Sequence, residues 1–190
     1  TIYSEVVINA YGVMAEAMGD EWARRSLIVN DISAGEDDPL MLGTVAGLGL
    51  EYVAMHKRGT SVTMQQLTDY DDVVAEVKAY FDAFAVKAQE HGLTRWILEP
   101  GFGFAKTLEQ NYELMRSLNL FSECGSTDGE RRGILVGVSR KSMIYKLFGM
   151  SPEEVLPETQ VLHLKALQNG ADILRVHDVA EAVRTVALYR

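Results

Sequence analysis

Five short apolar runs recur along this chain, each followed by a stretch with helical spacing, at residues 27–29, 51–55, 96–98, 134–138 and 172–174. Runs of that length are too short for buried helices but suit buried strands. Strands rich in Val, Ile and Leu that alternate strictly with helices imply a parallel sheet covered by those helices. Before the first run, residues 2–18 place Val6, Val7, Ala10, Val13, Met14 and Ala17 at helical intervals, and residues 21–25 read as a short helical or loop insert. Residues 37–49 read as a helix with Pro39 in its first turn. Residues 71–91 read as a long helix with one stripe of Val73, Val74, Val77, Tyr80, Phe81, Phe84 and Ala88. Helices are also expected over 108–120, 143–148, 159–168 and 179–189, with Ser151-Pro152-Glu153-Glu154 as a further helix start. Residues 60–70 and 122–132 read as loops.

Each apolar run ends in polar or charged residues. Asn30, His56, Glu99, Ser139, Arg140, Lys141, Arg175 and His177 therefore fall at one edge of the sheet, the edge at which β/α barrels build their sites. The stretch Ile97-Leu98-Glu99-Pro100-Gly101-Phe102-Gly103-Phe104-Ala105-Lys106 shows the pattern best. Pro100 ends the strand, and Gly101 and Gly103 allow close approach to the main chain. The charges also sort by sign. Arg140, Lys141, Arg175 and His177 come from the last two strands and can hold an anion such as phosphate. Glu99 beside Asn30 suits a flat heterocycle with adjacent N–H donors. Phe102 and Phe104 offer a wall for such a ring, or belong to the core. A lone strand-end histidine such as His56 is more often structural, and His91 and His163, inside helical segments, read as structural.

With 190 residues and a formal net charge of −9, the chain suits one well-buried domain spanning residues 1–190. The acidic balance argues against nucleic acid or an anionic membrane as the main partner. A single cysteine, Cys124, leaves no internal disulfide and fits a cytoplasmic protein. No apolar run is long enough to cross a bilayer.

Asn30-Asp31-Ile32-Ser33, Met55-His56-Lys57-Arg58-Gly59, Pro100-Gly101-Phe102-Gly103-Phe104-Ala105-Lys106, Gly137-Val138-Ser139-Arg140-Lys141-Ser142 and Arg175-Val176-His177-Asp178-Val179 stand in an order that resembles one family. That family is dihydropteroate synthase, the sulfonamide target of folate biosynthesis. The resemblance implies an α/β fold, a (β/α)8 TIM barrel of which this chain carries roughly the last five β/α units. It implies a transferase that joins p-aminobenzoate to a dihydropterin methyl pyrophosphate and releases pyrophosphate. Carried over, Asn30, Glu99 and Lys141 bind the pterin with Met55 nearby, and Arg175 and His177 hold the pyrophosphate. Phe104, Lys141 and Ser142 border the aminobenzoate, while Gly103, Gly137, Ser139 and Arg140 complete the substrate-binding loops. Lys141, Arg175 and His177 are the catalytic candidates. Magnesium (Mg2+) is the implied cofactor and a homodimer the implied assembly.

The resemblance also implies segments upstream of Thr1. These are the family's opening strands, an asparagine for magnesium, a Thr-Arg-Pro loop and a pterin-binding Asp. Glu99 stands where the family has Asp. Two other readings share the barrel: a non-catalytic pterin-binding homologue, and a methyltetrahydrofolate-corrinoid methyltransferase. The second needs no pyrophosphate clamp, so Ser139-Arg140-Lys141 and Arg175-Val176-His177 count against it.

Overall fold

A computed structural model describes residues 3–60, 63, 66–125 and 129–190. Helices α1 (Tyr3–Met18) and α2 (Asp20–Ser26) lead into strand β1 (Ile28–Asp31). Then α3 (Met41–Leu48), β2 (Glu51–Met55), α4 (Val73–Glu90), β3 (Trp96–Glu99) and α5 (Leu108–Arg116) alternate. A 3-10 helix (Leu118–Glu123) precedes β4 (Gly133–Val136), α6 (Ser142–Phe148), α7 (Leu156–Gln168), β5 (Ile173–Leu174) and α8 (Val179–Tyr189).

The five strands form one parallel sheet in sequence order, β1-β2-β3-β4-β5. Parallel pairing in chain order follows from the helical crossovers between strands. The register sets Met55 of β2 opposite Glu99 of β3, so these strands finish level. Alternate strand residues point to opposite faces. Tyr52, Ala54, Trp96, Leu98, Ile134 and Val136 pack outward into the main core with the buried stripes of the helices. Val53, Ile97 and Leu135 point the other way and form a separate inner layer. Two apolar layers on a curled parallel sheet are the arrangement of a barrel wall.

The helices form where the apolar stripes predict, with ends set by local chemistry. Asp72 caps α4 by accepting from the N–H groups of Val74 and Ala75. Thr107 and Gln110 form a capping box on α5. Three expected boundaries move. Helix α3 begins at Met41, because Asp38 accepts the N–H of Leu40 and holds the chain around Pro39 in a turn. The 108–120 helix breaks after Arg116 into the 3-10 segment. Residues 151–154 form a turn, and α7 starts at Leu156 with Pro157 in its first turn. The loop expected over 122–132 is less open than its polarity suggests, since Cys124 and Arg132 are buried. Parts of both expected loops, 61–62, 64–65 and 126–128, lie outside the described residues. Among the described residues no helix is long and apolar enough to cross a membrane.

Candidate active site

Side chains from three strand ends meet at one guanidinium. Arg175, the first residue after β5, extends the ladder by donating its N–H to the Val136 carbonyl. Its Nη1 donates to Glu99 Oε2 at 2.6 Å and to Asn30 Oδ1 at 3.2 Å, and its Nη2 donates to Glu99 Oε1 at 2.6 Å. Asn30 lies on β1, at the opposite margin of the sheet from β5, so this contact requires the sheet to curl. Glu99 is completely buried, whereas the Arg175 side chain is 41% exposed. Gly137 makes room for the pair: a Cβ there would sit 2.7 Å from Arg175 Nη2.

Lys141 approaches from the β4 loop. Its Nζ donates to the Phe102 carbonyl at 2.5 Å and lies 5.0 Å from the centre of the Phe104 ring. Burial lowers its pKa to about 8, opposed by the carboxylate of Glu99 and aided by the guanidinium of Arg175. Phe104 is half-buried at the site, while Phe102 is fully buried in the core, so only one of the two aromatics forms a wall. Gly103, at φ 80°, donates its N–H to Asn111 Oδ1 at 2.7 Å. Met55 is buried beneath Gly101. Ser142 opens α6 and lines a cleft of about 320 Å³ with Gly103, Lys106 and Lys146.

The sequence reading groups Arg140 with the anion-holding side chains, but the structure commits its guanidinium elsewhere. Nε and Nη2 donate to the two carboxylate oxygens of Asp178 at 2.9 and 2.8 Å, and Nη1 donates to the carbonyls of Pro152 and Glu153. That bidentate pair holds the Asp178 carboxyl below the usual range and ties the β4 loop to the β5 loop. Arg140 itself sits at φ 52°. Ala34 and Ala105, in the β1 and β3 loops, share this left-handed conformation. Such strain persists only where the surroundings enforce it. In the β1 loop the enforcer is Asp31, which accepts from Ser33 N–H and Oγ, Gly35 N–H and the Tyr52 hydroxyl.

His177 is exposed at the same edge, and its N–H donates to Ser139 Oγ at 3.3 Å. The Ser139 hydroxyl is then free to donate to His163 Nε2, 3.2 Å away. His163 Nδ1–H faces Gln160 Oε1 at 3.3 Å, which also accepts from the Thr185 hydroxyl at 2.8 Å. Helices α7 and α8 are thus wired to the β5 loop. The sequence reading treats His163 as structural because it lies inside a helix; its place on the buried face of α7 is what puts it behind Ser139. Lys106 and Asn111 received no role in the sequence either, although both support the glycine loop from below.

A family model described as pterin binding enzyme matches residues 12–177. The chain belongs to the pterin binding enzyme family. A dihydropteroate synthase of Synechocystis sp. is 40% identical over 167 residues, covering 84% of this chain and 56% of that protein. The Xanthomonas albilineans dihydropteroate synthase structure with 4-aminobenzoic acid superposes with TM-score 0.75 at 35% identity, covering 85% of this chain and 56% of that one. The Thermus thermophilus dihydropteroate synthase in complex with 6HMPPP gives TM-score 0.74 at 34% identity, covering 85% of this chain and 60% of that one. The chain therefore spans little more than half the length of these relatives.

Within this pterin binding fold, the strand-end residues named from sequence lie together at one edge, with Arg140 turned away into its own ion pair. Among the described residues, no group of three or more His, Cys, Asp or Glu side chains is placed to hold a metal ion. The asparagine that the resemblance implies for magnesium belongs to a segment upstream of Thr1.

Proposed function

We propose that the protein containing this chain is a dihydropteroate synthase, condensing 6-hydroxymethyl-7,8-dihydropterin pyrophosphate with p-aminobenzoate. The observation that carries this reading is the bidentate contact of Arg175 on buried Glu99. A guanidinium offers a carboxylate two parallel N–H donors, the same pair that the amino-pyrimidinone edge of a pterin offers. Glu99 is therefore already shaped for that edge, with Asn30 beside it. The relatives seen with 4-aminobenzoic acid and with 6HMPPP support the choice of substrates.

In this reading the incoming pterin takes over Glu99 and frees Arg175, which swings to the pyrophosphate next to His177. One bidentate partner replaces another at the carboxylate, so Glu99 is never buried unpaired, which would be costly. Lys141 borders both the pterin and the aminobenzoate, which lies between Phe104 and Ser142. The C–O bond to the leaving pyrophosphate breaks with carbocation character at the methylene carbon. The arylamine nitrogen then forms the new C–N bond and loses a proton. Arg175 and Lys141 stabilise the charge that develops on the departing pyrophosphate, an electrostatic contribution worth several kcal/mol in comparable sites. Magnesium and a homodimeric assembly belong to the same proposal, as does a cytoplasmic location.

The test is turnover by the full-length protein supplied with both substrates and magnesium. Formation of 7,8-dihydropteroate and pyrophosphate is expected. Pterin binding without product would instead favour the non-catalytic homologue.

A further inference from the structure

Lys106 is a buried charge with no task in the proposed reaction. Lys106 is only 6% exposed and lies beneath the glycine loop that follows β3. Its Nζ is 2.9 Å from His56 Nδ1, 2.9 Å from the Phe104 carbonyl and 3.1 Å from the Gly101 carbonyl. An ammonium has three N–H donors and no acceptor, and here three acceptors face it. While Lys106 is an ammonium it only donates, so His56 Nδ1 accepts, which makes His56 the neutral Nε2–H tautomer.

The assignment holds for the ammonium form of Lys106, and the electrostatics of His56 agree with a neutral ring. Burial, with Lys106 and Arg58 nearby, pushes the His56 pKa down to about 2. Burial lowers Lys106 to about 7, with repulsion from Lys141 and Arg58 adding to the effect and Glu99 opposing it. Tyr70 and Tyr80 complete the surroundings of His56, with ring centroids at 6.2 and 4.9 Å.

What Lys106 holds is a loop with no slack. A Cβ on Gly101 would fall 2.0 Å from the His56 carbonyl oxygen, so the loop presses directly on the end of β2. Asn111 grips it from α5 through Gly103 N–H and the carbonyls of Lys106 and Thr107. Between the two carbonyls that Lys106 clamps lies Phe102, whose own carbonyl accepts from Lys141 Nζ. The clamped Phe104 also carries the ring that Lys141 covers.

We propose that Lys106 is a positioning residue: braced on neutral His56, it fixes the carbonyls of Gly101 and Phe104 and thereby sets where Lys141 meets the substrates. What Lys141 does there rests on the proposed function; the brace itself does not.

Two readouts on the full-length protein separate these. The first is amide hydrogen exchange without ligand. In Lys106→Met the Phe102, Gly103 and Phe104 amides should exchange about tenfold faster or more, as expected for losing the charge-assisted hydrogen bonds to Gly101 and Phe104, while Ile97 and Leu98 in β3 stay protected. Equal acceleration in β3 would mean a general structural role and would overturn the proposal. The second is calorimetric binding of 6-hydroxymethylpterin. His56→Asn keeps an acceptor near the Nδ1 position and should bind within about twofold of wild type, whereas His56→Leu should weaken binding about tenfold, one hydrogen bond's worth. Equal binding by the two His56 variants would sink the brace, and this pair serves even if Lys106→Met fails to fold. If the wild type binds no pterin, the proposed function fails while the exchange experiment still decides the brace.

Discussion

Arg175 and Glu99 stand 76 positions apart in sequence and form two hydrogen bonds of 2.6 Å, with the carboxylate fully buried and the guanidinium partly open to solvent. The asymmetry matters. Glu99 has no water to fall back on, so whatever replaces Arg175 must bring its own paired donors. A site of this kind selects planar N–H pairs and leaves the arginine available for an anion when such a pair arrives.

Arg175→Ala should destabilise the fold by about 2 kcal/mol, less than the roughly 3–5 kcal/mol of a fully buried pair because one partner is already solvated. In the full-length protein it should also lower turnover by about a hundredfold or more, the scale of losing a charge-stabilising group. Chemical denaturation and steady-state kinetics check the two effects. Near-normal activity would remove Arg175 from the pyrophosphate role.

Glu99→Asp withdraws the carboxylate by one methylene, roughly 1.5 Å, enough to break the bidentate geometry with Arg175. A lower melting temperature is expected, together with weaker binding of the pterin pyrophosphate, because the shorter side chain no longer reaches the paired donors for which Glu99 is shaped. Calorimetry decides the point, and tighter binding would show that the site is not fitted to Glu.

Gly137→Ala places a methyl 2.7 Å from Arg175 Nη2, too close for the guanidinium to stay where it is. The guanidinium must shift, and the expected result resembles a mild Arg175→Ala: a loss of about 1–2 kcal/mol and weaker pterin pyrophosphate binding. Gly103→Ala is the contrast, since its Cβ would meet only the Lys141 side chain at 3.6 Å and the cost is that of a left-handed alanine, about 1–2 kcal/mol.

His56 makes stability depend on acid. Its folded pKa, about 2, lies below the ordinary value of 6.5, so the unfolded chain binds the extra proton between those limits. Stability from this group is intact above pH 6.5 and declines as pH falls toward 2, with a limiting slope of about 1.4 kcal/mol per pH unit. His56→Asn should flatten that limb in urea titrations at about pH 4–7. An unchanged slope would show that His56 is protonated in the fold.

His163→Leu removes the acceptor behind Ser139 and the donor facing Gln160. A loss of about 1–3 kcal/mol is expected from polar groups left unpaired. The effect on pyrophosphate affinity should largely vanish in a Ser139→Ala background, because the direct hydrogen-bond route from His163 to His177 runs through that hydroxyl. Additive losses in the double mutant would argue against the wire.

Much of this molecule was legible in the chain because its information is local. The five apolar runs, their alternation with helical stripes, and the polar residues at each strand end follow from side-chain periodicity and turn chemistry, and they carried the fold class and the edge at which the candidate site lies. The limits were local too: the helix start read at Ser151-Pro152 is a turn, because nothing in four residues says whether the next turn of helix will find a core to pack on.

What only the tertiary structure decided is how the charges are shared. Arg140, Lys141 and Arg175 look alike in sequence, yet one is tied to Asp178, one rests on the glycine loop and one bridges Glu99 and Asn30. The same holds for His56 and His163, each an ordinary histidine until folding places Lys106 or Ser139 against it. Composition and periodicity determine which segments become strands and which edge carries the polar groups. The pairing of one charge with another depends on distances across a curled sheet between residues far apart in the chain, and those exist only once the sheet has formed.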